Sequence, residues 1–185
     1  YSIKKLIVDW QNGGFGIYIH WPFCAAKCPY CDFNSHTAGA AAPKRRYLDA
    51  LLVDLQTESA RAPGREIQSV FLGGGTPSLF SPDEINELLN GVRDFFNVSP
   101  NVEITMEANP GTVECGSPAG YRAAGVTRLS IGAQSFDDSL LSVLGRIHSS
   151  ADIIDAVEGS KAAGFQNINI DLMHGLPGQS IDMAL

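Results

Sequence analysis

Tyr18-Ile19-His20-Trp21-Pro22-Phe23-Cys24-Ala25-Ala26-Lys27-Cys28-Pro29-Tyr30-Cys31-Asp32-Phe33-Asn34 places three thiols at positions i, i+4 and i+7. Three thiolates can fill three corners of an iron–sulfur cubane and leave its fourth iron open for chemistry. The same spacing also suits one face of a helix, where free cysteine packs like a small hydrophobe. Pro29 argues against a helix, since it would remove a backbone hydrogen bond and clash with the carbonyl of Ala25, and Pro22 breaks the chain just upstream. The segment therefore reads as a loop wrapped around a ligand. A zinc ion bound by the three cysteines, with His20 or His36 as fourth ligand, stays open as a rival on spacing alone.

Outward from this loop the chain alternates. β-rich runs at 16–21, 69–73, 102–108, 128–135 and 167–174 each end in a turn. Between them, segments near 44–61, 82–96, 117–124, 137–145 and 151–163 carry apolar residues at three- and four-residue intervals, as in Leu48, Leu51, Leu52 and Leu55. Ser81-Pro82-Asp83-Glu84 predicts a helix start with proline in the first turn, and Gly125 and Gly164 predict helix stops. Strands alternating with helices imply an α/β fold with a parallel sheet, either open or closed as a barrel. In such folds the working groups gather at the carboxyl ends of the strands. The unusual residues sit there: the cysteine loop after the first run, Gly73-Gly74-Gly75-Thr76-Pro77 after the second, Glu107-Ala108-Asn109 after the third, Gln134-Ser135 after the fourth, and Asp171 through His174 in the fifth.

Composition bounds the rest. The 185 residues, 44% apolar and 18% charged, are one domain's worth of chain and can bury a core. A formal charge of −7 with thirteen scattered Lys and Arg argues against a nucleic-acid partner. Lys44-Arg45-Arg46 opens a helix and reads as a solvated face. No run of about 18 apolar residues marks a transmembrane segment, and no secretory signal pattern is present. Cys115 stands apart from the other three cysteines and reads as a bystander, so no disulfide framework is expected and reduced, cytoplasmic thiols fit best. The chain starts at Tyr1 and stops within a helix-like stretch at 180–185, which reads as a fragment; residues 1–15 are unassigned and 16–185 form the core domain.

Taken singly, the residues at the strand ends are ordinary. Three successive glycines can lie against a ligand or make a tight turn; they match neither a phosphate loop nor a dinucleotide fingerprint. Glu107 could accept from an ammonium group or be a rim charge, Arg146 offers a fork to a carboxylate, and Gln134 and Asp171 could hold ribose hydroxyls. Their shared position suits a cationic amino-acid nucleoside beside an open iron. Phe33, Phe71 and Phe136 read as core residues. His20 reads as a satisfied core or supporting histidine, and no spacing favours an axial-ligand role for His36, His148 or His174.

Together, Cys24-x3-Cys28-x2-Cys31, Gly73-Gly-Gly-Thr-Pro, Glu107, Gln134-Ser-Phe136, Gly145-Arg-Ile-His148 and Asp171-Leu-Met-His-Gly-Leu-Pro resemble the radical S-adenosylmethionine (radical SAM) superfamily over about residues 16–182. Within it the chain is similar to the branch that holds oxygen-independent coproporphyrinogen III oxidases and heme chaperones. The resemblance implies a partial (β/α)6 barrel of which the five β-rich runs are five strands. It implies a [4Fe-4S] cluster on Cys24, Cys28 and Cys31, whose unique iron chelates S-adenosylmethionine, and one-electron cleavage of the sulfonium to a 5′-deoxyadenosyl radical. It further implies that Tyr18, Tyr30, Gly74, Gly75, Thr76, Glu107, Gln134, Arg146 and Asp171 contact S-adenosylmethionine. The oxidases continue their motif as Cys-x-Cys, whereas Asp32-Phe33 follows Cys31 here, as in the heme chaperones. The expectation is a heme-binding protein that passes heme to acceptor proteins and draws on an electron donor, with coproporphyrinogen oxidase activity as the second reading and a zinc-stapled module as the third.

Overall fold

The computed structural model describes residues 14–38, 42–111 and 117–184; Cys115 and nearly all of the unassigned amino-terminal segment lie outside them. β1 (Phe15–Trp21) leads into a loop whose only regular structure is a two-residue ribbon, β2 (Phe23–Cys24) paired in parallel with β3 (His36–Thr37). There follow α1 (Lys44–Arg61), β4 (Glu66–Gly74), a 3₁₀ turn (Pro77–Leu79), α2 (Pro82–Phe95), β5 (Asn97–Ala108), α3 (Pro118–Ala124), β6 (Arg128–Gln134), α4 (Asp138–Val143), α5 (Ser150–Ala162), β7 (Asn167–Leu172) and α6 (Ile181–Ala184).

The long strands form one parallel five-stranded sheet in the order β1-β4-β5-β6-β7. The order never reverses, so the sheet lacks the switch point of a doubly wound fold and is wound in one direction like a barrel segment. α1 packs on α2, α2 on α3 and α3 on α5, giving a continuous helical layer. Between layer and sheet lies an apolar core that includes Leu48, Ile67, Ile85, Leu88 and Val126, all fully buried. β1 and β7 are the sheet's edges, and Ile170 and Leu172 of β7 are exposed.

Local chemistry sets the helix ends. Ser81 and Glu84 close a capping box at α2, where Pro82 lacks only an N–H the helix cannot use. Ser149 and Asp152 repeat the device at α5. Gly125 ends α3 in a left-handed conformation, φ +109°, that a side chain would resist. The basic cluster at the start of α1 is anchored: Lys44 Nζ donates to the Leu79 carbonyl and Arg45 pairs with Asp49 and Glu87.

Two expectations need correction. Phe33 and Phe136 are not core residues; they are 58% and 51% exposed, because both follow strand-end turns that carry them to the surface. Phe71 is half-buried on β4, stacked on Tyr18 at a centroid distance of 6.0 Å. The aromatic core at the sheet's carboxyl end is built instead by Trp21, packed 4.0 Å from Phe80, 5.0 Å from Phe23 and 5.4 Å from Tyr47. Tyr47 Oη also donates to the His20 carbonyl at 2.9 Å, so α1 pins the point where β1 becomes the cysteine loop.

Candidate functional site

The cysteine loop and the carboxyl ends of β4, β5, β6 and β7 converge on one cavity of about 390 Å³, inside the size range of small-molecule sites. Cys24, Cys28, Cys31, Tyr30, Gly74, Gly75, Thr76, Glu107, Gln134, Arg146 and Asp171 all line it. Tyr18 does not; it stands 58% exposed on β1, its hydroxyl 3.2 Å from His20 Nδ1.

The glycine run makes its closest approach to protein. A methyl group at Gly75 would fall 2.6 Å from the Phe23 carbonyl oxygen, and one at Gly74, where φ is +113°, would fall 2.4 Å from the His20 ring. The Gly75 and Thr76 amides donate to the Trp21 and Phe23 carbonyls. The run thus seats the root of the cysteine loop on β4 while its outer side lines the cavity.

The Gly74 amide also donates to Glu107 Oε2 at 2.9 Å. Burial raises the pKa of this carboxyl, opposed by the Gly74 hydrogen bond and reinforced by the nearby charge of Asp171. Two carboxyl groups facing one cavity favour a cation over an anion there. Asp171 accepts from Ser130 Oγ at 3.2 Å and from Asn169 Nδ2 at 2.7 Å. Gln134 ends β6 at φ +70°, where the β6–β7 register slips at a bulge, and non-glycine residues held in that region cluster at functional sites.

Arg146 ties the cavity together from the loop after α4. One terminal nitrogen donates to Asn109 Oδ1 at 2.7 Å and to the Gly132 carbonyl at 2.9 Å; the other reaches Cys28 Sγ and Tyr30 Oη, both at 3.4 Å. Both terminal nitrogens of the expected fork therefore already meet protein acceptors, while its Nε is buried without a partner. Asn109 passes the connection on, donating from Nδ2 to Thr76 Oγ1 at 3.1 Å. His148 is buried; its Nε2 donates to the Ala133 carbonyl at 3.1 Å, which fixes the tautomer and leaves Nδ1 to accept from Arg146 at 3.4 Å. Burial pushes its pKa down. Asn109, Ser130 and His148 were not among the expected contact residues; the run Glu107-Ala-Asn109 and the spacing Arg146-x-His148 were the signals that could have raised them.

The thiols are free, and among the described residues no three His, Cys, Asp or Glu side chains are placed to hold a single metal ion. His20 donates from Nε2 to the Asn34 carbonyl at 2.9 Å and meets Tyr18 with Nδ1, so neither nitrogen is spare for zinc, and His36 is exposed. The donor set suits an iron–sulfur cluster better: three thiols on one loop around a cavity, with a guanidinium beside Cys28 to offset the negative charge of a thiolate-ligated group.

A parallel, singly wound α/β sheet with three free cysteines at its carboxyl end defines the class: a profile of the Radical SAM superfamily matches residues 18–185, and the chain belongs to that superfamily. More particularly, it is 48% identical over 173 residues to the heme chaperone HemW of Haemophilus influenzae and 49% identical over 169 residues to that of Escherichia coli. Each alignment covers 91% of this chain and 45% of the relative, so the chain spans a little under half the length of these relatives. A bovine relative, the mitochondrial radical S-adenosyl methionine domain-containing protein 1, is 39% identical, with 89% of this chain and 37% of that protein aligned. Among solved structures, coproporphyrinogen III oxidase (HemN) from Escherichia coli, described as a radical SAM enzyme, superposes with a TM-score of 0.82 at 28% identity, covering 92% of this chain and 39% of that one. Among the described residues no helix is long and apolar enough to cross a membrane.

Proposed function

We propose that Cys24, Cys28 and Cys31 ligate a [4Fe-4S] cluster and that S-adenosylmethionine occupies the cavity beside it. The observation that carries this is the convergence of the three thiols with Glu107, Gln134, Arg146 and Asp171 on one cavity. When bound, the cluster supplies the electron for reductive cleavage of the sulfonium. Glu107, held by the Gly74 amide, accepts from the ammonium group. Arg146 offers its guanidinium at the cavity wall to the carboxylate, and Asp171 and Gln134 take ribose hydroxyls. Gly74, Gly75 and Thr76 present backbone to the nucleoside, with Tyr18 and Tyr30 at the rim. Residues 16–185 act as one core domain in this reading.

The whole protein is read as a heme chaperone: heme is its cargo, acceptor proteins receive it, and an electron donor serves the cluster. The closeness to proteins named heme chaperone HemW supports this, as does Phe33, 58% exposed on the cavity wall where the oxidases carry a further cysteine. Three free thiols need a reducing compartment, in keeping with a cytoplasmic location. The second reading, decarboxylation of coproporphyrinogen III, is favoured by the 0.82 superposition on an oxidase.

The test uses the full-length protein, reconstituted anaerobically with iron and sulfide. A brown protein whose cubane resonance shifts on adding S-adenosylmethionine supports the site; a colourless protein that retains zinc overturns it. With the cluster in place, heme transfer to an apo-acceptor without porphyrinogen decarboxylation supports the chaperone. Stoichiometric decarboxylation overturns it in favour of the oxidase.

A further inference from the structure

Ser35 is 2% exposed, and its hydroxyl is buried without a hydrogen-bond partner, yet the residue lines the cavity that Cys24, Cys28 and Cys31 share. A buried unpaired hydroxyl is destabilising, and folded proteins keep few of them. The backbone around it is fully tied. Ser35 N–H donates to the Phe33 carbonyl at 2.7 Å, Lys27 Nζ donates to the Ser35 carbonyl at 3.0 Å, and His36 N–H donates to Pro22 at 2.7 Å. In the ribbon of β2 and β3, Thr37 lies across from Cys24. Alternation along an extended chain sets Ser35 on the same face as Thr37, and so on the face of Cys24. Cys24 and Ser35 are the two buried residues of the loop 22–38: a thiol and an unanswered donor on one side of one ribbon.

We propose that the Ser35 hydroxyl donates a hydrogen bond to a sulfur of the iron–sulfur group held by the three cysteines, and that it raises that group's reduction potential. The inference rests on the cluster reading above. Hydrogen bonds to cluster sulfurs favour the more negative, reduced form. Most side chains proposed for S-adenosylmethionine stand on β5, β6, β7 and the loop after α4, with Tyr18 and Tyr30 at the rim, whereas Ser35 is buried inside the cysteine loop on the face of Cys24, which assigns it to the cluster. Lys27 is a positioning residue that holds the Ser35 peptide in place.

The test compares full-length wild type with Ser35→Ala and Ser35→Thr. Iron and sulfide content comes first: a wild type that assembles no cluster overturns the cluster reading and this proposal with it. In cluster-loaded protein, a potentiometric titration followed by electron paramagnetic resonance should show Ser35→Ala shifted about fivefold toward the oxidised form at fixed potential. At 59 mV per decade that is a fall of about 40 mV, while Ser35→Thr stays with wild type. Equal potentials for Ser35→Ala and wild type, with the cluster intact in both, overturn the proposal and leave the cluster reading standing. Cluster-free protein gives a second readout. There the hydroxyl has no partner to lose, so Ser35→Ala should unfold no more readily than wild type; a less stable cluster-free variant shows the hydroxyl already paired within the protein and overturns the proposal.

Discussion

The sheet with its helices and the cysteine loop are held by different physics. In the first, Leu48, Ile67, Ile85, Leu88, Met106 and Ile153 are fully buried, and burying each such side chain contributes about 1.5–3 kcal/mol. In the loop 22–38 only Cys24 and Ser35 are buried. Beyond Phe23, which packs on Trp21, what orders the loop is polar: the Gly75 and Thr76 amides on Trp21 and Phe23, His20 on the Asn34 carbonyl, and Arg146 on Cys28 and Tyr30. The scaffold can fold from its own apolar surface, whereas the loop brings an unpaired hydroxyl and three free thiols to one cavity.

If the two regions are as separate as this, substitutions should sort cleanly between them. Cys28→Ser is the largest expected effect. It should reduce reconstituted iron to background while changing the unfolding free energy of the cluster-free protein by no more than about 0.5 kcal/mol; iron analysis beside chemical denaturation checks both halves. Leu88→Ala is the converse: about 2–5 kcal/mol lost from the scaffold, with cluster content per folded molecule unchanged. A Leu88 variant that folds yet cannot load iron would break the comparison. Gly75→Ala sharpens it, because its methyl group would meet Phe23 backbone at 2.6–2.9 Å. Neither backbone can yield locally, so about 1–3 kcal/mol of stability should go together with cluster retention. It is the one scaffold substitution expected to register in both assays.

The same division governs what the sequence made legible. Helical periodicity placed α1 at 44–61, and the Ser-Pro-Asp-Glu start and the glycine stop at 125 mark real caps, because amphipathic burial and capping are local codes. β5 begins at Asn97, five residues before its predicted start; Pro100 and a register break between Ile67 and Ser69 of β4 hide its first part from an alternation test. All of the expected site residues except Tyr18 line the cavity: strand positions pointed to the glycine run, Glu107, Gln134 and Asp171, while the family resemblance supplied the full set, Tyr30 included. The side chains that hold those residues could not be found this way. That Asn109 bridges Arg146 and Thr76, or that Ser130 supports Asp171, depends on which strands are neighbours. Phe33 and Phe136 were misassigned because hydrophobicity says nothing of a turn's direction when a cavity mouth offers an alternative to the core.

His148 lies where the two regions meet, and the smallest expected effect probes that contact. Its ring donates to the Ala133 carbonyl from Nε2 and accepts from Arg146 at Nδ1, so only the neutral form suits the site; protonation would set an N–H against the guanidinium. Burial is the main cause of its lowered pKa, with Arg146 adding to it. Because the folded value lies below the ordinary 6.5, the unfolded chain binds the proton first as pH falls. Stability from this group is therefore fully present above pH 6.5 and is lost as pH drops through the lower, folded value. His148→Gln keeps an amide donor and a carbonyl acceptor but cannot titrate. The stability gap between wild type and His148→Gln, read from denaturation curves of cluster-free protein, should narrow below pH 6.5 and be constant above it. A gap that does not change with pH would mean that the histidine is not held neutral.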